Sequence, residues 1–399
     1  MIVIELILLL YFLYVVFYTL VFSLAGVLHP PRINRPTTSE RARKIAVLIP
    51  AYKEDAVIIS SATRALHQSY SHEHYEVVVI ADNLRPETML QLRQLPIRLV
   101  EVSFEVSTKV KALRAGMAAL TETYDLAVIL DADNVMENDF LEKISASRDA
   151  GFSAIQGRRT AKNSNTKLAV LDGLSEMLNN HIYRQGSSAL GLSASLSGSA
   201  MAFDYSLLAE VLADMDNTGG FDRDMEVRLG IRGVKVRYVR DAVVYDEKVA
   251  HQEAFANQRR RWIASQYQYL AKHFITGMKA LFRGDFSLFN SAVFRNIQLP
   301  RVINIGLLGM VAMISIPLHP WLNLPVLTWW GLLALLGLAL ALAVPLSFYN
   351  RRFFQALITL PGTFFTMFTL LFKLKGANKQ FIHTPHGETE NEVIPGNKP

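Results

Sequence analysis

The chain has no cysteine in its 399 residues. Disulfides, thiolate metal sites and cysteine nucleophiles are therefore excluded together. Charge is also scarce, with Asp, Glu, Lys and Arg at 19% against 51% hydrophobic residues. That balance is too apolar for an ordinary soluble enzyme and too charged for a pure membrane bundle. Internal repeats and low-complexity tracts are absent as well, which leaves a mixed chain: one large folded domain joined to membrane segments. The excess of base over acid, +6 overall, suits a membrane surface or a phosphorylated ligand. The bases gather beside the apolar segments, so nucleic acid is not expected as a partner.

The longest apolar run, residues 2 to 28, carries a single acid, Glu5. A spanning helix needs about 20 apolar residues. The alternative, a cleaved signal, would need a basic n-region and a small-residue cleavage site, and this run offers neither. Arg32, Arg35, Arg41, Arg43 and Lys44 follow it and nothing basic precedes it. The positive-inside rule then puts the next domain in the cytoplasm; the membrane expected is a plasma membrane of bacterial inner-membrane type. The reading is a transmembrane helix over 1–28 and a basic linker over 29–43.

From 44 to 265 short apolar strands alternate with helical stretches. KIAVLIPAY, HYEVVVIAD, IRLVEVS and YDLAVILDAD read as strands, and helices are expected around Ala56 to Gln68 and Lys109 to Leu120. Continuous Val/Ile/Leu strands between helices predict an α/β, doubly wound, Rossmann-like sheet. Beyond it, 266–300 reads as interfacial amphipathic helix, with Lys272, His273, Lys279 and Arg283 among aromatic and aliphatic residues. Two spans are expected within 301–349, split by HPWLNLP. The run over 350–376 contains Pro361-Gly362 and has bases at both ends. This favours an interfacial or re-entrant helix over a third span. Residues 377–399 form a polar tail.

Several short constellations could carry chemistry. Asp131-Ala132-Asp133 directly follows an apolar strand, where ligands of open α/β sheets bind. Two carboxylates on alternate residues can address one hard cation, Mg²⁺ or Mn²⁺, although they could also cap the next helix. Asp82 ends an earlier strand and could accept from a base or ribose edge, or simply make an Asp-Asn turn. Lys109, Lys111 and Arg114 could neutralise a diphosphate or form a solvated helix face. Asp224, after the Gly219-Gly220 turn, could serve as a general base or belong to a surface ion-pair cluster with Arg228. Gln258, Arg261 and Trp262 share one face if helical. Such a face suits phosphate and a sugar's apolar side, or lipid headgroups.

In this order the motifs D…DxD…D…QxxRW resemble family 2 inverting glycosyltransferases of GT-A fold, the cellulose, hyaluronan, chitin-oligosaccharide and poly-N-acetylglucosamine synthase group. The resemblance covers about residues 44 to 386. It implies that VLIPAYKED, with Ala51, Tyr52 and Glu54, opens the donor site. Asp82, Lys109, Asp131, Gln258 and Arg261 would complete it. Asp133 would hold the metal, with Asp131 as a further ligand. Gly198, Ser199 and Trp262 would meet the acceptor, and Asp224 would be the base. Phe381, Thr384, Pro385 and His386 resemble the gating-loop motif FxVTPK. Three positions depart from the family pattern: Arg223 precedes the base, Arg114 replaces the asparagine after the lysine, and His386 replaces the final lysine.

The resemblance further implies a UDP-sugar donor, Mg²⁺ or Mn²⁺ as cofactor and a growing β-linked polysaccharide as acceptor. Membrane lipid and export or accessory subunits would be its partners. A non-processive enzyme that glycosylates a lipid would share every motif. An inactive polysaccharide-binding protein would have lost an acid or the tryptophan, and none is lost.

Overall fold

A computed structural model describes residues 2–28, 42–215, 219–249, 251–374 and 376. The expected gating-loop residues Phe381, Thr384, Pro385 and His386, and nearly all of the basic linker, lie outside the described residues.

Eight strands form one sheet: β1 (Ile45–Tyr52), β2 (Tyr75–Asp82), β3 (Arg98–Val102), β4 (Leu126–Ile129), β5 (Val135–Met136), β6 (Ala154–Ala161), β7 (Met201–Asp204) and β8 (Arg237–Asp246). Their order is β3-β2-β1-β4-β7-β6-β8-β5. The strands expected from sequence are β1 to β4, and all four run parallel. Both faces are covered. Ile45, Val47 and Ile49 enter one core while Ala46 and Leu48 enter the other. This two-sided burial is why β1 reads as an unbroken apolar run rather than an alternating one. Each of the Ile, Val and Leu side chains contributes roughly 1.5–3 kcal/mol.

The other half of the sheet departs from the parallel expectation. β7 pairs antiparallel with both β4 and β6, and β5 antiparallel with β8. These segments are short or carry polar residues, as in AIQGRRTA of β6, so hydropathy alone did not mark them. The reversal matters for the site. Met201, first in β7, pairs with Ile129, last in β4. The segment entering β7 therefore arrives beside the loop leaving β4.

Expected segment boundaries also shift. One continuous helix, Gln252–Phe282, carries both QxxRW and the amphipathic stretch, so no break falls between 265 and 266. Among the described residues two helices are long and apolar enough to cross a membrane, Ile2–Leu28 and Arg301–Trp321. Val326–Leu342 is apolar but shorter, at 17 residues. Arg351–Leu357 and Leu360–Lys373 form an apolar pair bent by 47°. The bend comes immediately before Pro361, which sits in the first turn of the second helix, where its missing N–H costs nothing.

The first helix is tied to the rest by a tyrosine stripe. Tyr11 and Tyr18 donate to Asn304 Oδ1 at 2.8 Å and Asn290 Oδ1 at 3.0 Å, and Tyr14 donates to the Phe294 carbonyl. Farther along, the same helix packs on a π-helical turn, Asn180–Gly186, that continues the helix Lys167–Asn179. Such wide turns are uncommon and frequent at functional sites. This one places Tyr183 and Arg184 on the wall of the cleft described next.

Candidate active site

A cleft of about 960 Å³ opens at the carboxyl ends of β1, β2 and β4, the edge at which open α/β sheets bind ligands. Ala51 and Tyr52 end β1, and Asp82 ends β2 directly opposite Tyr52. Both strands then turn sharply: Lys53 and Asn83 adopt positive φ, 57° and 58°. Desolvation raises the Asp82 carboxyl above its ordinary value, against a hydrogen bond from Ser107 and the charge of Lys53.

Asp131 and Asp133 follow β4 and line the same cleft. Asp131 is ion-paired with Lys109, whose Nζ also donates to the Gly198 carbonyl at 2.7 Å. Asp133 accepts from the Glu247 backbone N–H at 3.0 Å and from Asn134 Nδ2 at 3.1 Å. Ser199, expected at the acceptor, is instead fully buried beneath this loop. It accepts from the Asp131 N–H at 2.9 Å and donates to Asn134. Its neighbour Gly198 does line the cleft, at φ 82°. The antiparallel entry of β7 explains both placements.

Arg114 lies away from the cleft. Its guanidinium donates to the Leu212, Ala213 and Met215 carbonyls and caps the helix Tyr205–Ala213. Of the expected basic cluster, Lys109 alone lines the cleft.

Gln258, Arg261 and Trp262 sit in the first turns of the long helix and all line the cleft, as their spacing predicts. Gln258 Oε1 is sealed from solvent with no hydrogen-bond partner among the described residues. Arg259 pairs with Asp172 and lies 4.3 Å from the Trp262 ring centre. Trp262 keeps 39% of its surface exposed, enough to receive a flat apolar ligand face.

Asp224, expected as the base, is sealed inside a cluster of cations. It is 1% exposed and absent from the cleft wall. His273 Nε2 stands 2.6 Å from Oδ1, with Arg228 Nε and Lys272 Nζ at 2.9 and 3.3 Å from Oδ2. Burial alone would raise this carboxyl, but hydrogen bonds from His273 and Arg228, with the Arg228 and Lys272 charges, hold it down at about 2. Of the two aspartates on this helix, Asp222 is the one that lines the cleft. It makes no ion pair among the described residues, and desolvation raises its pKa despite adjacent Arg223. Both acids belong to the helix Phe221–Ile231, which Gly220 starts from a left-handed conformation, φ 73°. A β-carbon on Gly220 would lie 2.6 Å from Ser265 of the long helix, so this entry requires glycine.

The donor atoms fit a hard divalent cation. Asp131 and Asp133 stand two positions apart at the cleft, and such an ion takes one or two carboxylates plus phosphate and water. Among the described residues no cluster of three or more His, Asp or Glu forms a complete cage. A cation held here would depend on the ligand for its remaining oxygens.

A family profile described as "Glycosyltransferase like family 2" matches residues 42–265. The chain belongs to the family 2 glycosyltransferases, with the mixed sheet of the GT-A fold. Among curated relatives, an N-acetylglucosaminyltransferase of Rhizobium meliloti (strain 1021) is 24% identical over 73% of this chain and 71% of its own length. Glucomannan 4-beta-mannosyltransferase 7 of Arabidopsis thaliana is 27% identical over 57% of this chain and 43% of its own. A beta-monoglucosyldiacylglycerol synthase of Trichormus variabilis is 25% identical over 56% and 49%. The chain thus spans only about half the length of the latter two. Among solved structures, the mannosyltransferase PcManGT from Pyrobaculum calidifontis, in complex with GDP-Man and Mn²⁺, superposes with a TM-score of 0.57 at 18% identity. It covers 92% of this chain and 97% of that one.

Proposed function

We propose that the chain is an inverting, membrane-embedded glycosyltransferase that moves a sugar from a nucleoside diphosphate, UDP in the first instance, to an acceptor hydroxyl. The observation that carries this reading is one cleft lined by Asp82, Asp131, Asp133, Asp222, Gln258, Arg261 and Trp262. These residues are far apart in sequence and have few roles in common other than a diphosphate-sugar.

In this reading Asp82 meets the nucleoside, and Lys109, Gln258 and Arg261 meet the diphosphate. Asp133, with Asp131, would hold Mg²⁺ or Mn²⁺, which when bound supplies Lewis-acid stabilisation of the departing diphosphate. Asp222, rather than the expected Asp224, takes the proton from the acceptor hydroxyl. The hydroxyl oxygen bonds to the anomeric carbon while the carbon–diphosphate bond breaks, its electron pair leaving with the nucleoside diphosphate. One base and no carboxylate nucleophile give inversion, a β-linkage from an α-linked donor. A raised pKa makes Asp222 the stronger base of the two acids, whereas Asp224 near 2 is too weak.

The sequence resemblance favours a polysaccharide acceptor. A lipid acceptor has a specific observation behind it. The cleft continues from Trp262 between apolar helices, along Leu340, Val344, Phe353, Leu360 and Met367. An apolar extension of that kind suits an acyl or isoprenyl chain better than a hydrated glycan. With the apolar helices spanning the bilayer, the cleft would open beside its cytoplasmic face. The test is incubation of the purified chain in lipid nanodiscs with a panel of nucleotide sugars and Mg²⁺ or Mn²⁺. Nucleotide release with label in an organic-extractable product supports the reading; no nucleotide release with any donor refutes it.

A further inference from the structure

Most charges on the cleft wall cancel in pairs. Arg259 pairs with Asp172, Arg184 with Glu176, Arg159 with Asp246 and Arg295 with Glu226. Arg301 is different. It is the first residue of the apolar helix Arg301–Leu318 and makes no ion pair among the described residues. Its Nη2 donates only to neutral oxygens, Asn179 Oδ1 at 2.6 Å and the Ser175 carbonyl at 3.0 Å. Its Nη1 is sealed from solvent without a partner among the described residues. Arg223, on the same cleft, likewise bonds only a neutral group, Asn296 Oδ1 at 2.6 Å.

Arg301 is half-buried, with one nitrogen sealed from water and the Tyr183 ring 5.5 Å away beside its neutral acceptors; a guanidinium so placed gains when an anion arrives. The helix adds to this bias, since it opens on Pro300 with no side-chain cap and its positive dipole end lies at Arg301. The diphosphate does not account for Arg301. Lys109, Gln258 and Arg261 already serve that end, whereas Arg301 belongs to the helix that helps line the apolar extension, which Val302 and Ile305 join.

We infer that the acceptor is a lipid phosphodiester carrying a free hydroxyl. Its apolar chain lies between the helices 301–318, 326–342 and 351–373, its phosphate on Arg301 and its hydroxyl at Asp222. The inference rests on the transferase reading above. Two sources share this chemistry, a phosphoglycerolipid headgroup and a lipid-linked sugar. A neutral diacylglycerol and a free glycan do not.

The test uses the full chain in nanodiscs with a labelled nucleotide sugar that it turns over. Dihexanoyl phosphatidylglycerol and a short isoprenyl-monophosphate sugar, both phosphodiesters, are compared with dihexanoylglycerol and a water-soluble β-linked oligosaccharide. One or both phosphate-bearing acceptors should be used with a KM at least tenfold below that of dihexanoylglycerol, and which is used identifies the source. Arg301→Gln should raise that KM tenfold or more while nucleotide affinity, read by calorimetry, changes less than twofold; Arg301→Lys should recover part of the loss. Met367→Trp, in the apolar extension, should impair a long-chain acceptor more than its short-chain form and gives a second readout if Arg301→Gln does not fold. Equal use of dihexanoylglycerol, or label only in the oligosaccharide, overturns the inference and leaves the transferase reading standing. Failure to bind or release nucleotide sinks that reading instead.

Discussion

Asp222 and Asp224 stand two positions apart on one helix and face opposite ways: Asp222 lines the cleft, and Asp224 is sealed against His273. At 3.6 residues per turn, neighbours at i and i+2 lie on opposite sides. The i,i+4 partners follow suit. Glu226 shares the cleft side with Asp222, and Arg228 pairs with Asp224. The two acids should therefore fail differently. Asp222→Asn should reduce turnover by 10³-fold or more with nucleotide binding retained. Asp224→Asn should lower stability by about 3–5 kcal/mol, the range for breaking a buried ion pair, with appreciable kcat in the protein that remains folded. Rate and thermal unfolding measured on both variants check this; the reverse assignment would show as a dead but fully stable Asp224→Asn.

The same pair separates pH effects on rate from those on stability. The Asp222 pKa is raised, so kcat/KM should fall as pH drops through a value above the ordinary aspartate range near ~3.9. The sign for stability is opposite: a raised carboxyl stabilises the fold below its unfolded pKa and loses that contribution as pH rises through the folded one. Asp222→Asn should then be slightly more heat-stable than the parent at neutral pH. Asp224 is depressed to about 2, so its contribution is complete above the unfolded value and is lost as pH falls from ~4 toward 2. Rate profiles of the parent, and melting curves of the parent and Asp222→Asn, from pH 3 to 8 check both signs: as pH rises through the Asp222 pKa the parent's activity should rise while its stability relative to Asp222→Asn falls.

Much of the cleft wall at the sheet was legible in the sequence because strand ends fix it. β1, β2 and β4 announce themselves as apolar runs, and Tyr52, Asp82 and Asp131 are placed by where those runs stop. Gln258, Arg261 and Trp262 were legible through helical spacing. What escaped notice depended on how elements pair or rotate. The reversal of β7, encoded in four residues, buries Ser199 and leaves Gly198 at the cleft. The rotation of the helix Phe221–Ile231 turns Asp222 to the cleft and Asp224 away from it. A local signal for it existed, since Asp224 has its cation four residues on at Arg228 and Asp222 has only Glu226. Arg301 looked like the basic flank of an apolar run, and only its neutral partners single it out.

The two acids after β4 should differ in their dependence on metal. Asp133 is aligned by the Glu247 N–H and Asn134, while Asp131 is shared with Lys109. Chelation should abolish turnover, and Mn²⁺ or Mg²⁺ should restore it. Asp133→Asn should weaken Mn²⁺ binding in the presence of nucleotide, read by electron paramagnetic resonance, by tenfold or more. Asp131→Asn should also release Lys109 and so weaken nucleotide binding even without metal. Equal, metal-dependent losses in both variants would contradict this division.

The docking of the first helix on the π-helical turn can be tested with two glycines whose surroundings differ in kind. A β-carbon at Gly186 would lie 2.2 Å from the Phe22 carbonyl oxygen, and at Gly26 it would lie 2.8 Å from His181 Nε2. Backbone cannot retreat without moving the helix, whereas an imidazole can swing aside at the cost of its 3.0 Å contact with the Ser23 carbonyl. In a helix interior, Gly→Ala alone gains roughly 0.5–1 kcal/mol. Overpacking typically costs about 1–3 kcal/mol, and it should dominate at Gly186. Gly186→Ala should then unfold at a clearly lower temperature and show faster proteolysis between the first helix and β1, with KM for acceptor raised through the displacement of Tyr183 and Arg184. Gly26→Ala should stay within about 1 kcal/mol of the parent, since the propensity gain offsets one lost hydrogen bond. Thermal unfolding in matched nanodiscs decides it, and equal effects of the two substitutions would mean that the helix is not held by this contact.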